Sequence, residues 1–177
     1  MFKLFNKDKK PTSNITEEIP AQITSTGGLG DRYHTFEKSY GENSGVTEWG
    51  RFQDNSIFVR FFEDRAIMVQ FIQNDQPLSD KQAALQKALE ILPKDAKILE
   101  EKTELEGTDG KAEYFLLESQ LLQAVFESKS LESVKDPQYC TLCLTANETG
   151  YFLITATLGD YLYHEDRTNL ILKHDLF

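Results

Sequence analysis

The chain has 177 residues, a formal net charge of −10 and 11% aromatic residues. That length suits one domain with a sizeable core, and the acidic balance argues against direct nucleic-acid binding, which needs a basic footprint. Two cysteines suit a reducing compartment and provide no disulfide framework.

Residues 1–25 read as a flexible basic tail and linker. Within residues 1–13, Lys3, Lys7, Lys9 and Lys10 stand against Asp8 alone, so this end is basic and the remainder is more acidic than the whole. Phe2, Leu4 and Phe5 lie among those lysines. The pattern reads first as a disordered, solubilising leader; the functional alternative is weak contact with an anionic membrane surface through Phe2, Lys3, Phe5, Lys7, Lys9 and Lys10. The stretch PTSNITEEIPAQI has two prolines and no sustained period, which reads as linker. No signal-peptide core and no membrane-length apolar run are present, so the expected location is cytoplasmic, with peripheral attachment to the inner membrane face as an option.

Residues 26–177 are expected to form a single α+β domain. TGGLGDRYHTFEKSYG (Thr26–Gly41) reads as a glycine-rich opening, a cap, a short helix over about 31–40 and a stop. Asp31 is placed as the N-cap, and Tyr33, Phe36 and Tyr40 share one helix face. Gly41 sits where helices often end in a left-handed residue. Val46–Gln53 is predicted as a strand. SIFVRFF (Ser56–Phe62) is β-branched and aromatic throughout, and Glu63-Asp64-Arg65 joins it to a return strand over Ala66–Gln73.

A second helix is predicted from Ser79, with Ser79 and Gln82 spaced as a capping box. Ala84, Leu85, Ala88, Leu89 and Leu92 form its buried stripe, and Pro93 ends it. Lys97–Glu106 is read as a strand, because Gly107–Gly110 signals a hairpin and Ala112–Leu117 is a good partner. Ser119–Phe126 reads as a short helix with Ser119 as its cap, and Ser128–Gln138 as a polar loop. Tyr139–Ala146 and Tyr151–Thr157 read as strands around the turn Asn147–Gly150. Asn169–Leu172 is a candidate for a terminal strand or helix.

Strands joined by short loops, with few helices between them, predict an antiparallel sheet with its helices packed mainly on one face. Two helix-plus-meander halves are one way to build it. Phe36, Tyr40, Ile57, Val59, Phe61, Ala84, Leu85, Leu89, Val125, Phe152 and Ile154 are the expected core.

TGGLGDRYHTFEKSYG, followed by FQDNSIFVRFFEDRAIMVQF and a helix ending ILPKDAK, resembles a family of uncharacterised proteins of Gram-positive bacteria. Many of those are secreted lipoproteins with a GGLGD-type start, an aromatic-rich helix and a strand pair of the form N-x-I-x-V-x-F-x-x-x-R-A. The resemblance covers about residues 24–157. This chain departs from it in lacking the lipoprotein signal and the lipid-bearing cysteine, so an extracellular location does not carry over. Helix-then-meander order is also similar to beta-lactamase-inhibitor-like folds.

The motifs that resemble chemistry have structural explanations. Gly27–Asp31 has backbone N–H groups for an anion, but no strong strand precedes it, and Asp31 adds negative charge where the anion would sit. Cys140 and Cys143 have CxxC spacing, yet on a strand they point to opposite faces, which favours two buried core thiols. His34, His164 and His174 are scattered. Glu100, Glu101, Glu104 and Glu106 form an acidic run that reads as a solvated face. No cofactor and no metal site are expected.

The sequence therefore predicts a non-enzymatic interaction module with a protein partner. Gly28, Gly30, Asp31, His34 and Trp49 are its candidate surface. A small enzyme with an unidentified cleft and an acidic nucleic-acid mimic are the alternatives.

Overall fold

Alternation within each strand and register between strands set the architecture. The computed structural model describes residues 19–106, 110–127, 129, 131, 134, 136–160 and 163. The elements in chain order are α1 (Tyr33–Tyr40), β1 (Trp49–Phe52), β2 (Ile57–Phe62), β3 (Arg65–Ile72), α2 (Lys81–Ala88), β4 (Lys97–Glu106), β5 (Gly110–Glu118), α3 (Gln120–Phe126), β6 (Tyr139–Asn147) and β7 (Gly150–Leu158). The fold is α+β. The strands form one seven-stranded sheet in the order β1-β2-β3-β7-β6-β5-β4, and every pairing is antiparallel. A meander of three strands thus joins a second set of four through the β3–β7 pair.

Period 2 sends Ile57, Val59 and Phe61 of β2 to one face. Register carries that face onward: Val59 opposes Val69, Val69 opposes Ala156, Ala156 opposes Leu142, and Leu142 opposes Phe115. This inner face holds the main core. Phe36 of α1, Ala84 and Ala88 of α2, and Leu122, Val125 and Phe126 of α3 all belong to it. The three described helices therefore lie on one side of the sheet.

Turn chemistry closes the strands. Glu63 and Asp64 have φ of 44° and 69°, the two left-handed residues of a type I′ hairpin. Arg65, expected in that loop, is the first residue of β3. β1 starts at Trp49, three residues later than its pattern suggests.

Helix boundaries and burial needed correction in three places. The cap of α2 is Asp80, whose carboxylate accepts the Ala83 N–H at 2.9 Å; Ser79 instead bonds the Asp80 carboxylate at 3.3 Å. Leu89 keeps helical backbone and bonds Leu85 O, but at about 100° per residue it lies well to one side of the stripe formed by Ala84, Ala88, Ile91 and Leu92, and it is 56% exposed. Tyr40, Leu85 and Phe152 are half-buried rather than buried.

The cap of α3 is Ser119, as expected, and its hydroxyl accepts the Leu122 N–H at 3.1 Å. Asp95 supplies what one serine cannot. Its carboxylate takes the Ser119 hydroxyl and the N–H groups of Gln120 and Leu121, so the first turn is satisfied from 24 residues upstream.

The linker ends earlier than residue 25, since Ile23 and Thr24 are buried in the domain. Residues 1–18, which include the basic tail, and 164–177, which include Asn169–Leu172, lie outside the described residues, as do Gly107 to Asp109 of the β4–β5 hairpin and parts of the polar loop. Among the described residues no helix is long and apolar enough to cross a membrane.

Candidate interaction surface

The glycine-rich segment does not form a surface. Gly28, Gly30 and Asp31 are all buried. Asp31 does not cap α1, whose N-cap is Arg32 with no side-chain cap bond. Its carboxylate turns back on the loop instead. One oxygen accepts the N–H groups of Ile23 at 2.5 Å and Thr24 at 3.3 Å. The other accepts the Thr24 hydroxyl and the Gly28 N–H, the latter at 3.0 Å. Burial pushes the Asp31 pKa up from 3.8, and these bonds pull against the rise.

Arg65 completes this loop from β3. Its guanidinium donates to the carbonyls of Pro20 and Gly30, each at 2.9 Å. The loop backbone also pairs with both neighbours: Leu29 N–H donates to Ile91 O at 2.9 Å, and Gly30 N–H to Ala66 O at 2.8 Å. A Cβ at Gly28 would stand 2.4 Å from Ile91 O, so glycine is required by close backbone approach. The GGLGD segment is a fastener between α2 and β3, with the Gly28 donor spent on its own aspartate and those of Leu29 and Gly30 on the neighbouring backbone.

A second polar cluster sits on the inner face near the start of α2. Glu113 projects inward from β5 and accepts from Lys111 and from the Tyr151 hydroxyl, both at 2.8 Å. Lys81 of α2 lies 3.0 Å from its other oxygen and 3.5 Å from Glu101. Burial alone would raise the Glu113 pKa, but the lysine and tyrosine bonds overcome it and hold the pKa below 4.5. No local pattern announces this cluster, since its members come from α2, β5 and β7. It joins three elements around one carboxylate, which is a structural arrangement. A depression of about 270 Å³ beside Ile19, Pro20, Ala21 and Arg32 brings in one charged side chain.

Trp49 marks the surface with interaction chemistry. Gly50 and Phe52 of β1 are buried, so Trp49 and Arg51 project to the outer face, away from the helices. Register sets Trp49 opposite Arg60, and Arg51 opposite Phe58. Arg60 stacks 5.2 Å from the Trp49 ring and Arg51 5.5 Å from the Phe58 ring. Continuing the same face, Phe62, Met68 and Ile72 are each half-buried, and Trp49 is 47% exposed. Among the described residues, neither arginine makes an ion pair. The outer face of β1–β3 is thus aromatic, aliphatic and locally positive in a chain of net charge −10.

His34 is exposed on α1, which lies on the inner side. It is not brought together with Trp49. Of the five sequence candidates, only Trp49 belongs to this outer face. Phe58, Arg60 and Phe62 were missed, although the alternation of SIFVRFF sets them opposite Ile57, Val59 and Phe61.

The acidic run lies on β4, an edge strand of the sheet. Glu101 approaches Lys81, and Glu104 pairs with Lys102 at 2.9 Å. Cys140 and Cys143 are both buried, the first in the main core and the second in a smaller cluster on the outer face with Tyr114, Leu116 and Tyr163.

Comparison with known proteins found no match: no family model, no curated protein and no solved structure matches this chain.

Proposed function

We propose that this chain is a non-enzymatic protein-interaction module that binds its partner on the outer face of β1–β3. Trp49 is the anchor, and Arg51 and Arg60 receive carboxylates from the partner. The observation that carries the reading is the open aromatic face with two stacked arginines unpaired by any described carboxylate. Trp and Arg are the side chains that most often concentrate binding energy, because each joins large contact area to a directed polar group. A partner segment of apolar and acidic residues has the complementary chemistry.

The expected setting is the cytoplasm, with residues 2–10 touching the inner membrane surface. That part rests on the basic-apolar tail alone, and binding to anionic vesicles tests it. Lys→Glu changes at Lys7, Lys9 and Lys10 should release the protein from such vesicles. No binding by the intact chain removes the membrane contact from the proposal.

The docking face is tested by affinity capture from the native cell with the intact chain, Trp49→Ala and Arg60→Glu. One partner should be recovered with the intact chain and lost with both variants, while their melting temperatures stay unchanged. Equal recovery by all three proteins overturns this face as the site. The small-enzyme and nucleic-acid-mimic readings have less support, because the buried carboxylate cluster is internally paired and two carboxylates of the acidic run face lysines.

A further inference from the structure

The sheet has two edges, β1 and β4, and they differ. An edge strand presents a row of backbone donors and acceptors that no neighbouring strand takes. At β1 the preceding loop takes them. The Trp49 N–H donates to Val46 O at 3.0 Å, and the Ser44 N–H donates to Arg51 O at 2.9 Å. The Arg51 N–H donates to the Asn43 side-chain oxygen at 2.8 Å. At β4, among the described residues, the backbone pairs with β5 and with no other segment. The open edge is also the longer one, ten residues against four.

The side chains along β4 are open as well. Residues 97–101 are all exposed. They include the adjacent aliphatics Ile98 and Leu99, at 54% and 49%. A register shift between Ile98 and Glu100 makes Leu99 the extra residue of a bulge. Register sets Ile98 opposite Leu117 and Glu101 opposite Phe115, on the inner face, and Glu100 opposite Leu116, on the outer face. Glu101 approaches Lys81 only to 3.5 Å, and 65% of its side chain stays exposed.

A second copy does not suit this edge. Antiparallel pairing about a two-fold axis opposes residues equally spaced from the centre, and both must lie on one face, so the centre falls on a residue. Centred on Glu100 or Glu101, the pairing sets that carboxylate against its own twin. Centred on Lys102, it sets Lys102 against itself and Glu100 against Glu104. Like charges directly opposite one another destabilise a strand pair, whereas lysine or arginine opposite these carboxylates stabilises it.

We infer that the free edge of β4 is a strand-addition site for an extended segment of another protein that alternates apolar and basic residues. Backbone hydrogen bonds hold the added strand, Ile98 and Leu99 give it apolar contact, and Glu100 and Glu101 select its charge. This site lies at the opposite end of the sheet from the outer face of β1–β3 and does not depend on it.

The probe is a short capped peptide alternating valine and lysine. It is added to the full chain at about 0.15 M salt, where distant surface charges are screened. Hydrogen exchange followed by NMR should show protection of the β4 amides that face away from β5. Glutamate in place of the probe's lysines should weaken binding about tenfold or more, and so should N-methylation of its central amides, which removes the donors of the added strand. Glu100→Lys with Glu101→Lys should reverse the preference between the lysine and glutamate peptides. Both positions are exposed, so the melting temperature should hold. If that double variant fails to fold, the methylated probe decides alone. Equal binding of the methylated probe overturns the inference, because it shows charge adsorption to an acidic chain. So does an absence of binding, or protection centred away from β4. Protection of β4 that rises with protein concentration in the absence of probe also overturns it, by assigning the edge to a second copy.

Discussion

The Asp31 carboxylate accepts the Gly28 N–H at 3.0 Å, so the aspartate of the GGLGD segment closes on its own glycine. Asp31→Ala would leave that donor and the N–H groups of Ile23 and Thr24 without their acceptor in a buried loop. The expected loss is about 3 kcal/mol in a urea melt. Asp31→Asn should also destabilise, because its amide nitrogen would face a backbone donor. Gly28→Ala should do the same through the clash with Ile91 O. A loss below about 1 kcal/mol for Asp31→Ala would remove the loop from the list of structures that hold α2 to β3.

Truncation should separate the tail from the domain. Removal of residues 1–18 should leave the melting midpoint unchanged, because that stretch has no period with which to bury itself. Removal of residues 1–24 also deletes Ile23, which is 2% exposed, and a donor to Asp31. That should cost about 2–5 kcal/mol, the range for emptying a core aliphatic site. Equal midpoints for the two truncations would show that Ile23 contributes little.

Phe36 organises the aromatic end of the core. Its ring lies 5.2 Å from Phe61, 5.8 Å from Phe52 and 6.0 Å from Tyr40, and it is fully buried. Phe36→Ala should cost about 3–5 kcal/mol. Denaturant melts showing a much smaller loss would mean that α1 is peripheral to stability.

Acid should act through Glu113. Its pKa is lower in the folded chain than the ordinary 4.5, so its stabilising contribution is fully present above that value. It is lost as pH falls through the lowered folded pKa. Asp31 has the opposite sign: its raised pKa reflects a burial penalty that protonation relieves. Glu113→Gln should therefore melt below the parent chain at about pH 7, and the gap should narrow below pH 4.5. A gap independent of pH would mean that Glu113 is not held as a carboxylate by Lys81, Lys111 and Tyr151.

By itself the sequence determined the strands, the stop of α1 at Gly41, the cap of α3 and the opposite facing of Cys140 and Cys143. Each depends on interactions within one element: alternation at period 2, a left-handed glycine, a serine within reach of its own first turn. Tertiary structure decided what those elements meet. Asp31 had the right residue type for a cap, but Ile23, Thr24 and Gly28 offered it more donors, so it turned inward. Leu89 was apolar and near the expected stripe of α2, but the sheet took the face of Ala84, Ala88 and Ile91 and left Leu89 to one side of it. Trp49 was legible as an exposed aromatic, while its neighbours Phe58 and Arg60 come from the next strand and are set beside it only by register. The Glu113 cluster draws on three elements, and no local period can bring such residues together, because their partners are chosen by the packing of the whole chain.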